Sequence, residues 1–344
     1  MNVERNTQKA DSQIEAGANV HHAPSVSIVI PCYNVAPFVV EALRSVFAQT
    51  YSDYEAVVVN DGSPDTAEFE QAIAPYQDRI VYIKQKNAGP SGARNAGILK
   101  ARGTYVALLD ADDSWLPEFL NEQVKLITSD EATQLVYTDT LVFGEGTNNR
   151  TRAMDTTPSN GEATFESLVK MTCTVLTSSV VAHRQTLIDA GLFDTKFKHA
   201  EDYDLYLRVA HKGFKIVYSR QPLMRRRIHA ASLSASVENM LRGQLAVYRK
   251  TLETLDLSNR QKQIIETQIE NREAQLNLEQ GKRFFREGDF RQAIAHLENA
   301  AKQLNTHKLR AALLSLKLAP NLLLGLYNWR ERRAGRCLTP YTSN

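Results

Sequence analysis

The chain has few cysteines, no long apolar run and almost no net charge, and each absence narrows what it can be. Its three cysteines in 344 residues, Cys32, Cys173 and Cys337, lie too far apart for a metal-binding cluster or a disulfide framework. That usage suits a reducing cytoplasm. The 41 Lys and Arg are nearly cancelled by 39 Asp and Glu, which gives a formal charge of +2. The molecule as a whole is therefore no polyanion binder, and no nucleic-acid partner is expected. The longest apolar candidate, AALLSLKLAPNLLLGLY (311–327), is broken by Lys317, Pro320 and Asn321, so it does not span a bilayer unbroken. Residues 1–24 are polar, lack the apolar core of a signal peptide and read as a flexible tail. The G-x-x-x-x-G-K-[ST] loop of a P-loop nucleotide hydrolase is missing too.

What is present begins with alternation. SVSIVIPCYN (25–34) is a β-branched run that closes in a polar loop, and PFVVEALRSVFAQT (37–50) follows with helical spacing. YEAVVVNDGSPD (54–65), RIVYIKQ (79–85) and TYVALLDADD (104–113) read as further strands, with a short helix after the first and PSGARNAGILKA (90–101) as a helix before the last. Strands alternating with helices predict a mostly parallel, doubly wound α/β sheet. Ligands of such sheets bind beyond the carboxyl ends of the strands, where PCYN, NDGSPD and DADD all fall.

From about 135 to 200 the pattern loosens. QLVYTDTLVF (134–143) reads as a strand, 144–163 is turn-rich, and SSVVAHRQTLIDAGLFD (178–194) is a strand followed by a helix. EDYDLYLRVAHKG (201–213) is a helix stopped by Gly213, and FKIVYS a strand. Beyond about 238 the chain is helix-forming and rich in Gln, Glu, Leu and Arg. The expected division is a domain over 25–237 and a helical region over 238–344.

Asp110, Asp112 and Asp113 crowd the end of one buried run. Like charges this close repel unless something positive sits between them. A helix N-cap formed by Asp113 or Ser114 needs one such residue and accounts poorly for three. A hard divalent cation, Mg²⁺ or Mn²⁺, accounts for the cluster better.

The fragments SVSIVIPCYNVAPFVVEALRSVFAQTYSDYEAVVVNDGSPD, NAGPSGARNAGILKARGTYVALLDADD and AEDYDLYLRVAHKG resemble the inverting family 2 glycosyltransferases of GT-A fold. The resemblance covers roughly residues 25–235. It implies a sugar moved from a nucleoside-diphosphate sugar to a hydroxyl acceptor. Asp61 would accept a hydrogen bond from the nucleotide base, and Pro31, Tyr33 and Asn34 would line base and ribose. Arg94 would approach the diphosphate, a task suited to a guanidinium that stays charged and forks onto oxygens. Asp112 of DAD would bind the metal while Asp110 faces the ribose or a metal-bound water. Asp202 of AED would be the catalytic base, near the positive end of a helix that favours negative charge. His229 of RRRIHAASLS is a candidate second metal ligand, and Trp115 and Glu201 are candidate contacts to sugar or acceptor.

Duller roles stand beside these. Asp61 suits an Asx turn, Arg94 a simple ion pair, Glu201 and Asp202 a helix first turn, His229 a structural position and Trp115 the core. GKRFFREGDFRQAIAHLENAAKQL (281–304) resembles one tetratricopeptide-type helix pair, with Gly281, Gly288, Ala293 and Ala300 as its small residues and Phe284 and Phe290 as its aromatics. A lone unit is expected to pack on its own domain or on a second copy, so a homodimer through this region is one expectation. KLRAALLSLKLAPNLLLGLYNWRERRAGR (308–336) reads as one amphipathic helix with a basic end, either covering the domain or lying on the inner face of a membrane near a lipid-linked acceptor. The competing functions are a nucleotidyltransferase on a related sheet, which would want a Gly-rich loop where PCYNVAPF stands, and a non-catalytic sugar-nucleotide binder.

Overall fold

The computed structural model describes residues 23–144, 147, 151–157, 159–229, 236–304 and 306–333. Most of the expected tail, Cys337, Arg336 and residues 230–234 lie outside these. The elements in chain order are β1 (Val26–Cys32), α1 (Ala36–Phe47), β2 (Tyr54–Asn60), α2 (Thr66–Ile73), β3 (Ile80–Lys84), α3 (Gly89–Lys100), β4 (Tyr105–Leu108) and β5 (Ser114–Trp115). There follow α4 (Phe119–Thr128), β6 (Thr133–Gly144), α5 (Phe165–Val169), β7 (Val180–His183), α6 (Arg184–Asp189), α7 (Glu201–His211) and β8 (Lys215–Ile228). Five helices end the chain: α8 (Val237–Thr254), α9 (Asn259–Glu287), α10 (Phe290–Leu304), α11 (His307–Leu318) and α12 (Pro320–Arg333).

One eight-stranded sheet runs β3-β2-β1-β4-β7-β6-β8-β5. The half formed by β3, β2, β1 and β4 is parallel; β7 is antiparallel to both β4 and β6, and β6 is parallel to β8. β1 and β2 are Val- and Ile-rich because both faces of the sheet are covered, which leaves no room for alternation. On one face Val39, Leu43, Phe69, Ile73, Phe119 and Leu120 of α1, α2 and α4 form the core. On the other, Ile98 of α3 joins Leu205 and Tyr206 of α7. Val247 and Tyr248 of α8 and Ile265 of α9 belong to this second core, so the first part of the helical region packs into the sheet's own interior. Tyr248 donates to the Val169 carbonyl at 2.8 Å, which ties α8 to α5.

Three elements differ from the sequence reading. Helix α4 begins at Phe119 with Glu118 before it, so neither Asp113 nor Ser114 caps it. Pro117 lies between, and Ser114 and Trp115 pair instead with Arg225 and Met224 of β8. Strand β8 runs on to Ile228, through Pro222, because long-range pairing with β6 absorbs register shifts at Asp139 that no local pattern reveals. The single terminal helix is two, α11 and α12, bent by 118° where Pro320 removes a backbone donor. Neither half is long and apolar enough to cross a membrane, although the bent pair meets that test of length and composition when taken together.

Candidate functional site

The turn after β2 carries the first part of the site. Asn60, not Asp61, closes the turn with its side chain: its Oδ1 accepts from the Ser63 N–H at 2.9 Å. Gly62 sits at φ +64°, and a Cβ there would lie 2.7 Å from the Asn87 backbone nitrogen, so only glycine fits. Asp61 is thereby turned inward, buried, with Oδ1 accepting from Gln85 Nε2 at 2.7 Å and from the Ala88 N–H at 2.9 Å. The same turn holds the loop after β1. Asn34, left-handed at φ +55°, donates its N–H to Ser63 Oγ at 2.6 Å, and the Ala36 N–H donates to Asp65 at 2.8 Å. Tyr33 stands exposed at the rim.

The loop after β4 gathers the three aspartates, and each meets a different partner. Asp110 pairs with Arg94 of α3 at 2.7 Å, and Arg94 pairs on its other side with Glu201 of α7, also at 2.7 Å. The guanidinium is almost wholly buried, and this double pairing holds it protonated. Its Nε is a buried donor without a partner among the described residues. Asp112 meets His229 through Oδ2 and Nε2, 3.0 Å apart. Asp113 is buried and accepts from the Arg227 N–H at 2.9 Å. Burial, and then the negative neighbours Asp112 and Asp110, push its carboxyl well above the usual carboxylate range.

At the start of α7, Ala200 adopts φ +62° and swings Glu201 and Asp202 to the site. Burial, followed by the charge of Asp202, raises the Glu201 carboxyl against the pull of Arg94. Asp202 is held from two sides: Thr177 Oγ1 donates to Oδ2 at 2.8 Å, and the Tyr203 N–H to Oδ1 at 2.7 Å.

Pro31, Tyr33, Asn34, Asp61, Arg94, Asp110, Asp112, Glu201, Asp202 and His229 all line one cleft of about 1130 Å³. Residues far apart in sequence thus share one wall-to-wall space. Trp115 is the exception and a correction to the sequence reading. It is buried, stacks on Phe119 at 4.1 Å between centroids and donates Nε1 to the Ser178 carbonyl at 2.7 Å. It packs the floor beneath the aspartates because β5 pairs with β8 and turns the indole inward. Arg94, expected on the diphosphate, has both terminal nitrogens on carboxylates, and Glu201 spends Oε1 on that pair.

Sequence reasoning missed Thr177, Ser178 and Gln244, which line the same cleft. Thr177 stands just before, and Ser178 at the very start of, the strand read over 178–194, where no motif marks them, and Gln244 lies in the helical region. Arg227 was visible beside His229 in RRRIH, but only the structure puts its N–H on Asp113 and its Nε on the Asp112 carbonyl at 3.1 Å.

The donor set at Asp112 and His229 fits a divalent ion. A carboxylate and an imidazole about 3 Å apart span one edge of an octahedron with bonds of about 2.1 Å. Among the described residues no group of three or more His, Cys, Asp or Glu could hold a metal by itself. An ion here would take its remaining oxygens from substrate and water, the usual habit of Mg²⁺.

Residues 27–184 match the sequence profile described as Glycosyl transferase family 2. The chain is 31% identical over 227 residues to an uncharacterized glycosyltransferase of Rickettsia prowazekii, which covers 64% of this chain and 69% of that protein. It is 30% identical over 209 residues to the amylovoran biosynthesis glycosyltransferase AmsB of Erwinia amylovora, covering 58% of this chain and 68% of that one. It spans only 36% of a longer uncharacterized glycosyltransferase of Rickettsia felis. Among solved structures, Staphylococcus aureus TarS 1-349 in complex with UDP-GlcNAc superposes with a TM-score of 0.60 at 19% identity, covering 92% of this chain and 93% of that one. The mannosyltransferase PcManGT of Pyrobaculum calidifontis, in complex with GDP-Man and Mn²⁺, gives 0.58 at 17% identity over 93% and 89%. At such identities these two establish the GT-A fold alone.

Proposed function

The chain belongs to glycosyl transferase family 2 and is a glycosyltransferase, and from that premise we propose a metal-dependent, inverting transfer of sugar from a nucleoside diphosphate to a hydroxyl acceptor. The observation that carries this reading is the single cleft onto which Asp61, Asp112 and Asp202 all open. A relative named for amylovoran biosynthesis supports a role in cell-surface polysaccharide or lipid-linked glycan synthesis. Among the described residues, Cys32 and Cys173 are free and buried, which fits a cytoplasmic setting.

At the donor end, Asp61 accepts from the nucleotide base. Its Oδ1 is committed to Gln85 and Ala88, and among the described residues no hydrogen bond takes Oδ2. Tyr33 lies against the base, with Pro31 and Asn34 lining the ribose. Asp110, fixed by Arg94, meets the ribose or a metal-bound water. Asp112 and His229 would hold Mg²⁺ or Mn²⁺, which would neutralise the diphosphate leaving group as a Lewis acid. Arg94 works through Asp110 and Glu201, so it is a positioning residue that joins the donor-side acids to the base-bearing helix.

Asp202 takes the proton from the acceptor hydroxyl. Thr177 and the Tyr203 N–H leave its carboxylate one orientation, which is what a weak base needs to compete by placement. Attack from the side opposite the leaving diphosphate, in one step, inverts the anomeric carbon. The cleft continues past Asp202 to Lys198, His199 and Gln244, the wall this reading offers to the acceptor.

The test is a screen of nucleotide sugars with purified protein in Mn²⁺, Mg²⁺ or chelator, scored by nucleoside diphosphate release and the anomeric configuration of the product. Release from one donor with inversion, abolished by chelator and restored by either ion, is the expected result. Full turnover in chelator would remove the metal, and a retained configuration would remove the single-step mechanism.

A further inference from the structure

We propose that the bent pair α11–α12 is a docking surface for an anionic lipid bilayer. The domain uses one face of each helix. Leu309, Leu313 and Leu316 of α11 are buried against Leu297 and Ala300 of α10, Leu323 of α12 packs on the same cluster, and Tyr327 meets the Phe285 ring edge-on. A second apolar stripe faces water. Leu314 and Leu318 are one turn apart on α11, and Leu322, Leu326 and Trp329 follow one another on α12. Leu318 is 76% exposed and Leu322 66%, and they flank the bend, so the two stripes meet there. Of the eight large apolar residues exposed among the described residues, these are five. Scattered exposed leucines need no explanation, but a continuous stripe does.

Charge identifies what covers it. Residues 307–344 carry seven Lys or Arg and a single acid, Glu331. The rest of the chain has 34 basic and 38 acidic residues, so it is net negative while this segment is strongly positive. Lys308 and Arg330 are exposed at opposite ends of the pair, and Lys317 reaches Glu298 of α10 at 2.6 Å. Aliphatic side chains, an interfacial Trp and a basic surround match the boundary of acyl chains and anionic headgroups. The inference stands apart from the donor cleft, so lipid binding and sugar transfer can fail separately.

The experiment is co-sedimentation of the full chain with vesicles of phosphatidylcholine alone or mixed with phosphatidylglycerol, with Trp emission recorded on the same samples. Trp115 and Trp329 are the only tryptophans, and Trp115 is buried on the Ser178 carbonyl, so a blue shift on adding vesicles reports Trp329. The expected result is at least about tenfold stronger partitioning onto the anionic vesicles, weakened by salt. Leu322→Ser with Leu326→Ser, and Arg330→Glu separately, should each lower it about tenfold while circular dichroism and donor turnover are unchanged. Leu318→Ser is a second variant, should the double change disturb α12. Equal binding to both vesicle types, or no binding to either, overturns the proposal. So does a concentration-dependent dimer that the double variant dissolves in the absence of vesicle binding, which would make a second copy the occupant.

Discussion

At the cleft, Asp61, Asp113 and Glu201 are carboxylates taken out of water; on α11 and α12, Leu314, Leu318, Leu322 and Leu326 are aliphatic groups left in it. Ordinary folding places each kind the other way round. The acids are tolerated because every one has a named neighbour: Gln85 and Ala88 for Asp61, Arg227 for Asp113, Arg94 for Glu201. The leucines have no such compensation among the described residues. The first departure carries its own answer and describes a site ready for a ligand. The second describes a surface completed by something else. Local departures from the rules that shape the rest of a fold are where function is concentrated.

The comparison can be broken at its strongest point first. Asp202→Asn keeps the shape of the base and removes its proton affinity, so turnover should fall about 10³-fold. Donor binding, followed by calorimetry, should be nearly unchanged; a large loss of donor affinity would mean that Asp202 holds the donor instead. Arg94→Met leaves Asp110 and Glu201 facing each other without their common cation and should cost about 3–5 kcal/mol in urea unfolding. Because Arg94 also fixes Asp110, the variant should raise the donor KM as well as lower stability. A loss of stability with unaltered kinetics would make the pair purely structural.

The helical end should respond differently. Gly281 of α9 lies so close to α10 that a Cβ would meet the Leu297 side chain at 2.6 Å. Gly281→Val should therefore cost about 1–3 kcal/mol and leave donor turnover intact, since the overpacking falls on a cluster separate from both faces of the sheet. A matching fall in activity would show that the two regions are coupled.

The smallest effect concerns pH. Burial would raise the Glu55 carboxyl, but hydrogen bonds from Ser27 and from the Arg102 backbone and side chain, with the Arg102 charge, outweigh it and leave it below the usual range. A depressed folded value means stability that is present above the unfolded value and lost as pH falls through the folded one. Glu55→Gln should cost under about 1 kcal/mol at neutral pH, since Arg102 is largely exposed. Melting curves of variant and parent should converge as the pH drops through that window. A gap that persists at low pH would assign the effect to packing.

How much of this was legible beforehand varies with the range of the interaction. The strands and helices from 26 to 108 follow from β-branched runs and helical spacing, because both faces of a parallel strand are buried and the pattern repeats within a few residues. The acids at the strand ends could be named from the same stretch. Their partners could not. Arg94 lies 107 residues from Glu201, and His229 lies 117 from Asp112, distances at which no local periodicity speaks. Trp115 misled because its position after DADD suggested the cleft, whereas pairing of β5 with β8 turned it to the core. The end of β8 was missed because Pro222 and the register shifts hide a strand whose stability comes from its neighbour.

Sequence alone determined the doubly wound sheet and the loops that would carry polar groups, since burial pattern, turn residues and carboxylate spacing are all local properties; the chemistry expected of those groups came from the family resemblance of the motifs. Tertiary structure decided which cation each aspartate meets, that Thr177 orients Asp202, that the last helix breaks at Pro320, and that a stripe of leucines is left facing water. These are outcomes of long-range packing, where a side chain's surroundings depend on elements a hundred residues away and the free energy of each contact is settled only when all of them are in place.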